Sequence, residues 1–491
     1  MRNRKLALLV VVLAACPALA WAQPRPKLDE QVKELAAKVD EALKGAAEGS
    51  AAAKALQDLA TKVAAIQQDV GRLKRAGEGY EALRKKLERY ENRVGNLELD
   101  LAALKMQAAE GAESSGFNDG FFLQSSDRKF LLRIGALAQL GYDGTIFSQE
   151  EVSGETLGTN ESGFLLRRAR LAASGHLLNW RLSYRMELDF GSADPGPLLD
   201  GWGELHVHKL LRIRAGRQKI PFARQFIIHS AYQQFVERSG ATRAFALGWD
   251  LGAIVLGNLN LAGVISYQLG IFNGAGSTAL QDDNTDFLYI ARLLYQPLGP
   301  MEYAEGDYEV GKLQIAVGGV FTYNLARTDI ALRKGETDAT KAAAMSDADA
   351  DGNIDNVGIY QLGGELVARL GGLAWQSELF YRVEDPGAVA EDRSFFGLYT
   401  QASFFHYSSS LELAARYGFW EPNYYGMDRS QARPGRIHEM AVALNGLVWL
   451  RRVKWQIEYS HQWWFDLQVG ESELTGDVGV NRILIQTQLA F

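Results

Sequence analysis

Cationic side chains recur at alternate positions along several segments of the chain, a pattern that could bind or conduct anions. A guanidinium group is permanently charged, and its forked donors match the oxygens of phosphate or carboxylate. A ladder of such groups across a narrow pore lowers the barrier for anions and raises it for cations. The alternative is that they pair with nearby carboxylates and only brace a wall. The candidate pathway residues are Arg133, Arg168, Arg170, Arg181, Arg185, Arg212, Arg214, Lys219 and Arg224.

One acidic segment carries the spacing of a calcium-binding loop. The pattern Asp-x-Asp-x-Asp-Gly-x-x-Asp places oxygen ligands at alternate positions and a glycine at the turn. The candidate ligands are Asp347, Asp349, Asp351 and Asp355. Gly358 stands where a full EF-hand has its last glutamate. Two readings stay open, a weak structural Ca²⁺ site or an acidic solvated loop, and no other cofactor is expected.

The sequence carries no convincing catalytic set. Its histidines at 176, 229, 438 and 461 are dispersed, and none has the spacing of a metal or nucleophile motif. No glycine loop that could cradle phosphate follows a strand, and nothing suggests nucleic-acid binding. We therefore predict that the protein is not an enzyme, with a His–Ser barrel hydrolase as a remote alternative.

The N-terminus has the features of an export signal. Arg2, Arg4 and Lys5 precede the apolar stretch Leu6–Ala15, and small residues then offer cleavage after Ala20 or Ala22. A rival interpretation is a lipoprotein signal with Cys16 as the lipidated residue. The longest apolar run has 11 residues, whereas a spanning helix needs about 20. We predict a signal peptide over 1–22.

A heptad pattern follows the signal. Apolar residues alternate spacings of three and four from Leu56 to Leu104, and an earlier block, Leu28–Val39, is out of step across the Ala/Gly-rich segment 44–55. A helix of this kind cannot bury its apolar seam alone, so the pattern predicts a self-associating coiled coil over 28–109. Glu110–Gly116 ends the helix and marks a domain boundary.

From Gly116 onward the apolar period changes to two. In Trp180–Phe190 and in Val453–Trp463, polar residues occupy one face and apolar or aromatic residues occupy the other. Most segments are longer than the usual strand of about 5–6 residues, and their connections alternate between short and long, as in a transmembrane barrel. The predicted strands are 129–142, 163–176, 180–191, 202–208, 210–217, 249–258, 261–272, 285–296, 311–325, 357–370, 373–385, 395–406, 409–420, 436–450, 452–466 and 480–491.

These segments predict an all-β transmembrane barrel of about 16 antiparallel strands over 116–491, preceded by the coiled coil. The connection 297–310 is an exception, because it is long where a turn is expected. Segment 218–248 is the candidate constriction of an aqueous lumen. The formal net charge is −7, but selectivity depends on the field inside the lumen.

The segment Gly116–Gly276 resembles the phosphate-selective porin family of the porin O and P type, and the alternating C-terminus ending at Phe491 resembles bacterial outer-membrane barrels. Ala136-Leu137-Ala138 follows Gly135 where a second glycine and an arginine are usual in that family. The motifs that carry the resemblance, in the family's order, are Gly120–Ser125, Leu132–Gly135, Leu166–Leu171, Glu187–Gly191, Ala215–Phe222, Phe235–Ser239 and Gly270–Gly274.

This resemblance implies a trimeric channel in the bacterial outer membrane, in contact with lipid and lipopolysaccharide, with its coiled coil in the periplasm. It implies passage of phosphate, polyphosphate or other small anions, and it gives Arg133, Arg167, Arg168 and Arg170 a role in the lumen. Arg167 fits less well, because strict alternation places it opposite Arg168. The alternative function is structural: a coiled coil that tethers the outer membrane to the cell wall, with the barrel as its anchor.

Overall fold

The computed structural model divides the chain into two units, Met1–Glu113 and Ser114–Phe491. In the first unit it describes only residues 33, 36–37, 40, 57, 60–61 and 63–65, all of them helical. In the second unit it describes residues 115–491 except 118–119, 126, 150, 153–154, 157, 192–197, 209, 262, 275, 277–285, 309–310, 328–355, 386–391, 423–432, 450–451, 470–471 and 474–476.

The N-terminal predictions therefore remain predictions. The signal peptide at 1–22 and Cys16 lie outside the described residues, and too little of 28–109 is described to test the coiled coil. No helix within the described residues is both long and apolar enough to cross a membrane.

Sixteen antiparallel strands in the second unit form a closed barrel. Each strand pairs with the next along the chain, and the last pairs with the first, from Val480 opposite Phe147 to Ala490 opposite Leu137. All sixteen predicted strands are confirmed, with ends that differ by no more than five residues. The strands are β1 Leu131–Phe147, β2 Glu161–Leu177, β3 Leu182–Asp189, β4 Leu198–His208, β5 Leu211–Lys219, β6 Trp249–Leu261, β7 Gly263–Phe272, β8 Leu288–Gln296, β9 Gln314–Arg327, β10 Asn356–Leu370, β11 Leu373–Asp385, β12 Arg393–His406, β13 Leu411–Trp420, β14 Arg433–Trp449, β15 Val453–Val469 and β16 Val478–Ala490.

The barrel wall is apolar outside and polar inside. In β8 the outward Tyr289 and Leu293 are 50% and 52% exposed, whereas the inward Arg292 is 3% exposed. The same alternation recurs in β11, where Leu379 is exposed and Glu378 is buried. An exposed apolar surface around buried charges inverts the order of a soluble protein and suits a strand wall whose outer face meets lipid.

A β-bulge in β2 changes the direction of one arginine. Gln139 of β1 pairs with Arg168, but the next residue, Leu140, pairs with Leu166, so Arg167 is the extra residue. The bulge turns its side chain inward, where the guanidinium pairs with Glu237. The prediction from strict alternation was therefore wrong for Arg167, because a bulge shifts the two-residue period by one residue.

A short hairpin, Ser115–Phe117 with Phe121–Gln124, continues the wall where β16 stops. Its second strand pairs with the start of β1, from Phe121 opposite Ile134 to Gln124 opposite Leu131. The rings of Phe121 and Phe491 lie 5.7 Å apart, edge to face. Gly120 has a φ of +118°, and a Cβ there would lie 2.6 Å from the Ile134 oxygen, so this turn requires glycine. The strands predicted from the sequence do not include this hairpin.

The long segment between β5 and β6 folds into the barrel. It contains helix α1 (Arg224–Ile227), a 3₁₀ turn (Ser230–Tyr232) and helix α2 (Gly240–Phe245). Its two ends pack onto the wall around Phe380: Phe245 stacks on that ring at 5.5 Å, and Phe222 lies 5.8 Å from it. We call residues 220–248 the inner loop.

Candidate functional site

The polar side of the inner loop is buried against the far wall of the barrel. The backbone N–H groups of Arg224 and Gln225 donate to Glu378 of β11 at 2.5 and 2.9 Å. Lys454 of β15 donates to the Gln233 carbonyl at 2.7 Å. These hydrogen bonds fix the inner loop in place, and the loop fills the half of the lumen that β8 to β15 enclose.

A second segment, residues 297–308, supports the inner loop from the opposite end. Glu305 is 1% exposed and accepts hydrogen bonds from the Gln225 side chain at 2.9 Å and from the Gln234 backbone at 2.7 Å. Asp307 accepts from the Gly372 backbone at 2.9 Å, in the turn after β10. The connection that was unexpectedly long thus folds inward, and the number of strands remains sixteen.

The space that remains is a cavity of about 840 Å³ on the β1 to β5 side. Five of the predicted pathway residues line it: Arg133, Arg170, Arg185, Arg214 and Lys219. They are spread from the short-turn end of the barrel, where β1 and β5 begin, to the long-loop end of β5. Six cationic side chains and two acidic side chains line the cavity, the sixth cation being Arg452.

Some of these cationic side chains form ion pairs with carboxylates, and others do not. Arg170 bonds Asp189 at 2.8 Å and Glu187 at 3.2 Å. Arg133, in contrast, has no carboxylate within ion-pair distance among the described residues, and its buried Nε has no partner there. Lys219 donates to the Phe226 carbonyl at 2.7 Å rather than to an acid. The cavity wall therefore keeps an excess of positive charge.

Arg185 and Arg214 are held in place by acids on neighbouring strands. Arg185 bonds Asp200 at 3.3 Å and also pairs with Glu187. Arg214 donates to Glu204 at 2.8 Å. Both guanidiniums keep between a quarter and a third of their side-chain surface open. Arg185 and Arg214 are therefore compatible with both roles that the sequence left open. Each braces the wall through its ion pair, and each still faces the water of the cavity.

Four predicted pathway residues do not line the cavity. Arg181 is exposed in the turn before β3, with its guanidinium 5.9 Å from the Trp180 ring. Arg212 pairs with Glu204 at 3.2 Å. The remaining two, Arg168 and Arg224, are buried away from the cavity.

These two arginines are engaged elsewhere in the lumen. Arg168 donates to the Gln139 side chain at 2.7 Å, next to the bulge. Arg224 lies on the wall side of the inner loop, 3.7 Å from Glu365 and 4.6 Å from the Tyr303 ring centre. Arg224 lies in the predicted constriction segment, and the sequence does not show which side of that segment meets the pore.

The predicted pathway residues do not include two titratable groups of the inner loop, His229 and Arg238. His229 lines the cavity, 3.7 Å from Glu187. Burial lowers the pKa of His229, and the neighbouring Glu187 only partly offsets this. Burial, reinforced by Arg170, also lowers the pKa of Arg238 to about 9. Neither residue has a periodicity that would mark it, because the loop has no regular strand or helix over this stretch.

The predicted calcium ligands Asp347, Asp349, Asp351 and Asp355 lie outside the described residues, so that site stays a prediction. Among the residues that are described, no group of three or more His, Cys, Asp or Glu side chains is arranged to hold a metal ion.

Comparison with known proteins shows which family the chain matches. The family model described as phosphate-selective porin O and P matches residues 145–491, well over half of the chain. No curated protein matches the chain. Similar solved structures include OmpT of Vibrio cholerae (10% identity, 75% of this chain and 99% of that chain, TM-score 0.47) and the outer membrane channel DcaP of Acinetobacter baumannii (11%, 75% and 99%, 0.47). A third is Salmonella typhi OmpF in complex with daunomycin (12%, 77% and 100%, 0.43).

Proposed function

This chain belongs to the family of phosphate-selective porins O and P and is an outer-membrane porin, and on that premise we propose that it conducts small anions by passive diffusion. Phosphate is the anion that the family description suggests, and we include polyphosphate because it has the same chemistry. The observation that carries the proposal is the cavity along β1 to β5, which five arginines and Lys219 line against the acidic side chains of Glu187 and Asp200, with Asp189 and Glu204 paired to Arg170 and Arg214 beside it. Family and fold indicate a channel rather than an enzyme.

The order of the cations along the wall suggests how an anion moves. Arg133 lies at the short-turn end, Arg185 and Arg170 lie further along their strands, and Lys219 ends β5 at the long-loop end. Each group can replace part of the hydration shell of a passing anion, and several sites of moderate strength allow it to leave again. A cation meets repulsion at the same positions. No bond is made or broken.

Planar-bilayer recordings of the purified full chain test this proposal. We expect open-channel current in KCl, and we expect added inorganic phosphate to reduce the chloride current because both ions use the same cationic path. Absence of any current would favour the structural alternative, in which the barrel is only an anchor for a cell-wall tether. A chloride current that phosphate leaves unchanged would remove phosphate from the proposed substrates.

We also propose that the protein is a homotrimer, embedded in lipid and lipopolysaccharide, with a periplasmic coiled coil. The family resemblance and the heptad pattern of 28–109 support this, because a helix with an apolar seam needs partners. Mass measurement of the full chain in detergent should give three copies, and a monomeric mass would contradict the assembly.

A further inference from the structure

The inner loop turns its apolar side toward the pore. Arg224 and Gln225 are buried against the far wall, whereas Ile227, His229 and Tyr232 are half-buried and line the cavity. A loop that served only hydrated inorganic ions would be expected to show the opposite orientation, with its charges toward the water. The inner loop therefore forms one apolar and aromatic wall of the cavity.

The strand wall opposite contributes an aromatic ring among its cations. Trp202 of β4 lines the cavity, and the guanidinium of Arg214 lies 4.1 Å from the centre of its ring. At the end of β5, the Lys219 ammonium lies 5.3 Å from the ring centres of Phe226 in the inner loop and Trp249 in β6. Cations stacked on aromatic rings offer a charge and a flat apolar surface in one place.

These two walls differ in what they can give to a solute. The cations on β1, β2, β3 and β5 can bind an anionic head group, but the apolar surfaces of Trp202, Ile227 and Tyr232 offer nothing to a hydrated inorganic ion. An apolar group placed against them loses its contact with water, which is favourable. Ile254 and Leu137 add further apolar surface to the cavity. A solute with an anionic head and an apolar body would use both walls at once.

We propose that this cavity binds organic anions with an apolar, preferably aromatic, body more tightly than it binds phosphate or acetate. The inference rests on the proposed anion channel and specifies its substrate class. The carboxylate lies toward Arg133, Arg170 and Arg185, and the ring lies between Trp202 and the apolar side of the inner loop. Such a mixed site is the usual composition of a small-molecule pocket, with a few placed polar groups in an apolar lining.

Current block in planar bilayers tests this inference with the full chain. Benzoate, acetate and inorganic phosphate are added separately to a channel that conducts KCl. We expect benzoate to halve the current at a concentration about tenfold lower than acetate does. Equal block by benzoate and acetate would overturn the inference. The anion channel itself would still stand if the reversal potential retains the anion sign.

A pair of matched variants locates the site. Trp202→Ala should weaken the block by benzoate about fivefold, because one aromatic contact is lost, and should leave the block by acetate unchanged. Trp375→Ala is the control, since Trp375 faces outward on β11 and should change neither value. If Trp202→Ala does not insert into membranes, Ile227→Ser serves instead, with the same expected loss. Unchanged benzoate block in an inserted variant would contradict the assignment.

Discussion

We expect an arginine in this lumen either to attract passing anions or only to brace the wall, according to the groups that surround it. Arg133 has a buried Nε without a partner among the described residues, whereas Arg170 is bonded to Asp189 and Glu187. A paired guanidinium presents little net charge to a passing ion, while an unpaired one presents nearly a full charge. At the scale of single residues, we therefore expect Arg133 to contribute more to selectivity than its neighbours.

Replacing Arg133 by alanine should lower the preference for chloride over potassium. Two unit charges about 4 Å apart interact by about 1 kcal/mol even in water, so the permeability ratio should fall about fivefold. The reversal potential in a KCl gradient measures this ratio. Arg181→Ala removes the same charge from an exposed turn outside the cavity and is the control. Equal effects of the two substitutions would show that position in the cavity does not matter.

His229 predicts how selectivity depends on pH. Burial holds the pKa of this histidine below its usual value of 6.5, so the ring is neutral at pH 7 and takes up a proton only in acid. Protonation adds a positive charge to the cavity, and the anion preference should therefore rise as the pH is lowered below 6.5. Reversal potentials at pH 7 and at a series of lower pH values measure the change. His229→Gln should abolish it, and a pH effect that survives this substitution would exclude His229 as its source.

At the scale of elements, two infolded segments meet inside the barrel. The inner loop enters from the long-loop end and residues 297–308 enter from the short-turn end. Glu305 joins them, since it accepts from Gln225 and Gln234 and the Glu305 backbone donates to the Tyr232 carbonyl at 3.2 Å. Together they leave the cavity on the β1 to β5 side.

Glu305→Ala should loosen the inner loop. The substitution removes both acceptors and leaves the Gln234 N–H buried without a partner, at a cost of about 1–3 kcal/mol. We expect larger and noisier single-channel currents and a lower unfolding temperature in detergent. Glu161→Ala, which removes an exposed carboxylate at the start of β2, is the control for both measurements. A current and a stability like those of the wild type would mean that the far wall alone fixes the loop.

The strands could be predicted because the type of each strand residue reflects the face of the wall on which its side chain lies. A two-residue period indicates that one face of a strand is apolar, and so all sixteen strands could be placed from the sequence. The bulge at Arg167 and the orientation of Arg224 could not, because both depend on partners distant in sequence, Glu237 and Glu365. The cations of the strand wall could be predicted from the strand patterns. The apolar side of the inner loop could not, because its residues follow no period.

At the scale of the whole molecule, the barrel combines an apolar outer surface with a lumen that is filled on one side and open on the other. The apolar outer surface explains insertion into a membrane. The half of the lumen that the inner loop fills explains why that loop is held firmly, and the half that contains the cavity concentrates positive charge. A formal net charge of −7 is compatible with an anion path, because the field along the cavity depends on the groups that line it.

The reversal potential of the wild-type channel in a KCl gradient tests this account most directly. The cationic cavity predicts a potential with the sign of chloride selectivity, because chloride crosses the β1 to β5 side more readily than potassium. A potential near zero would mean a wide, unselective pore. A potential with the sign of potassium selectivity would contradict the central claim, since it would mean that ions do not pass along the cationic wall.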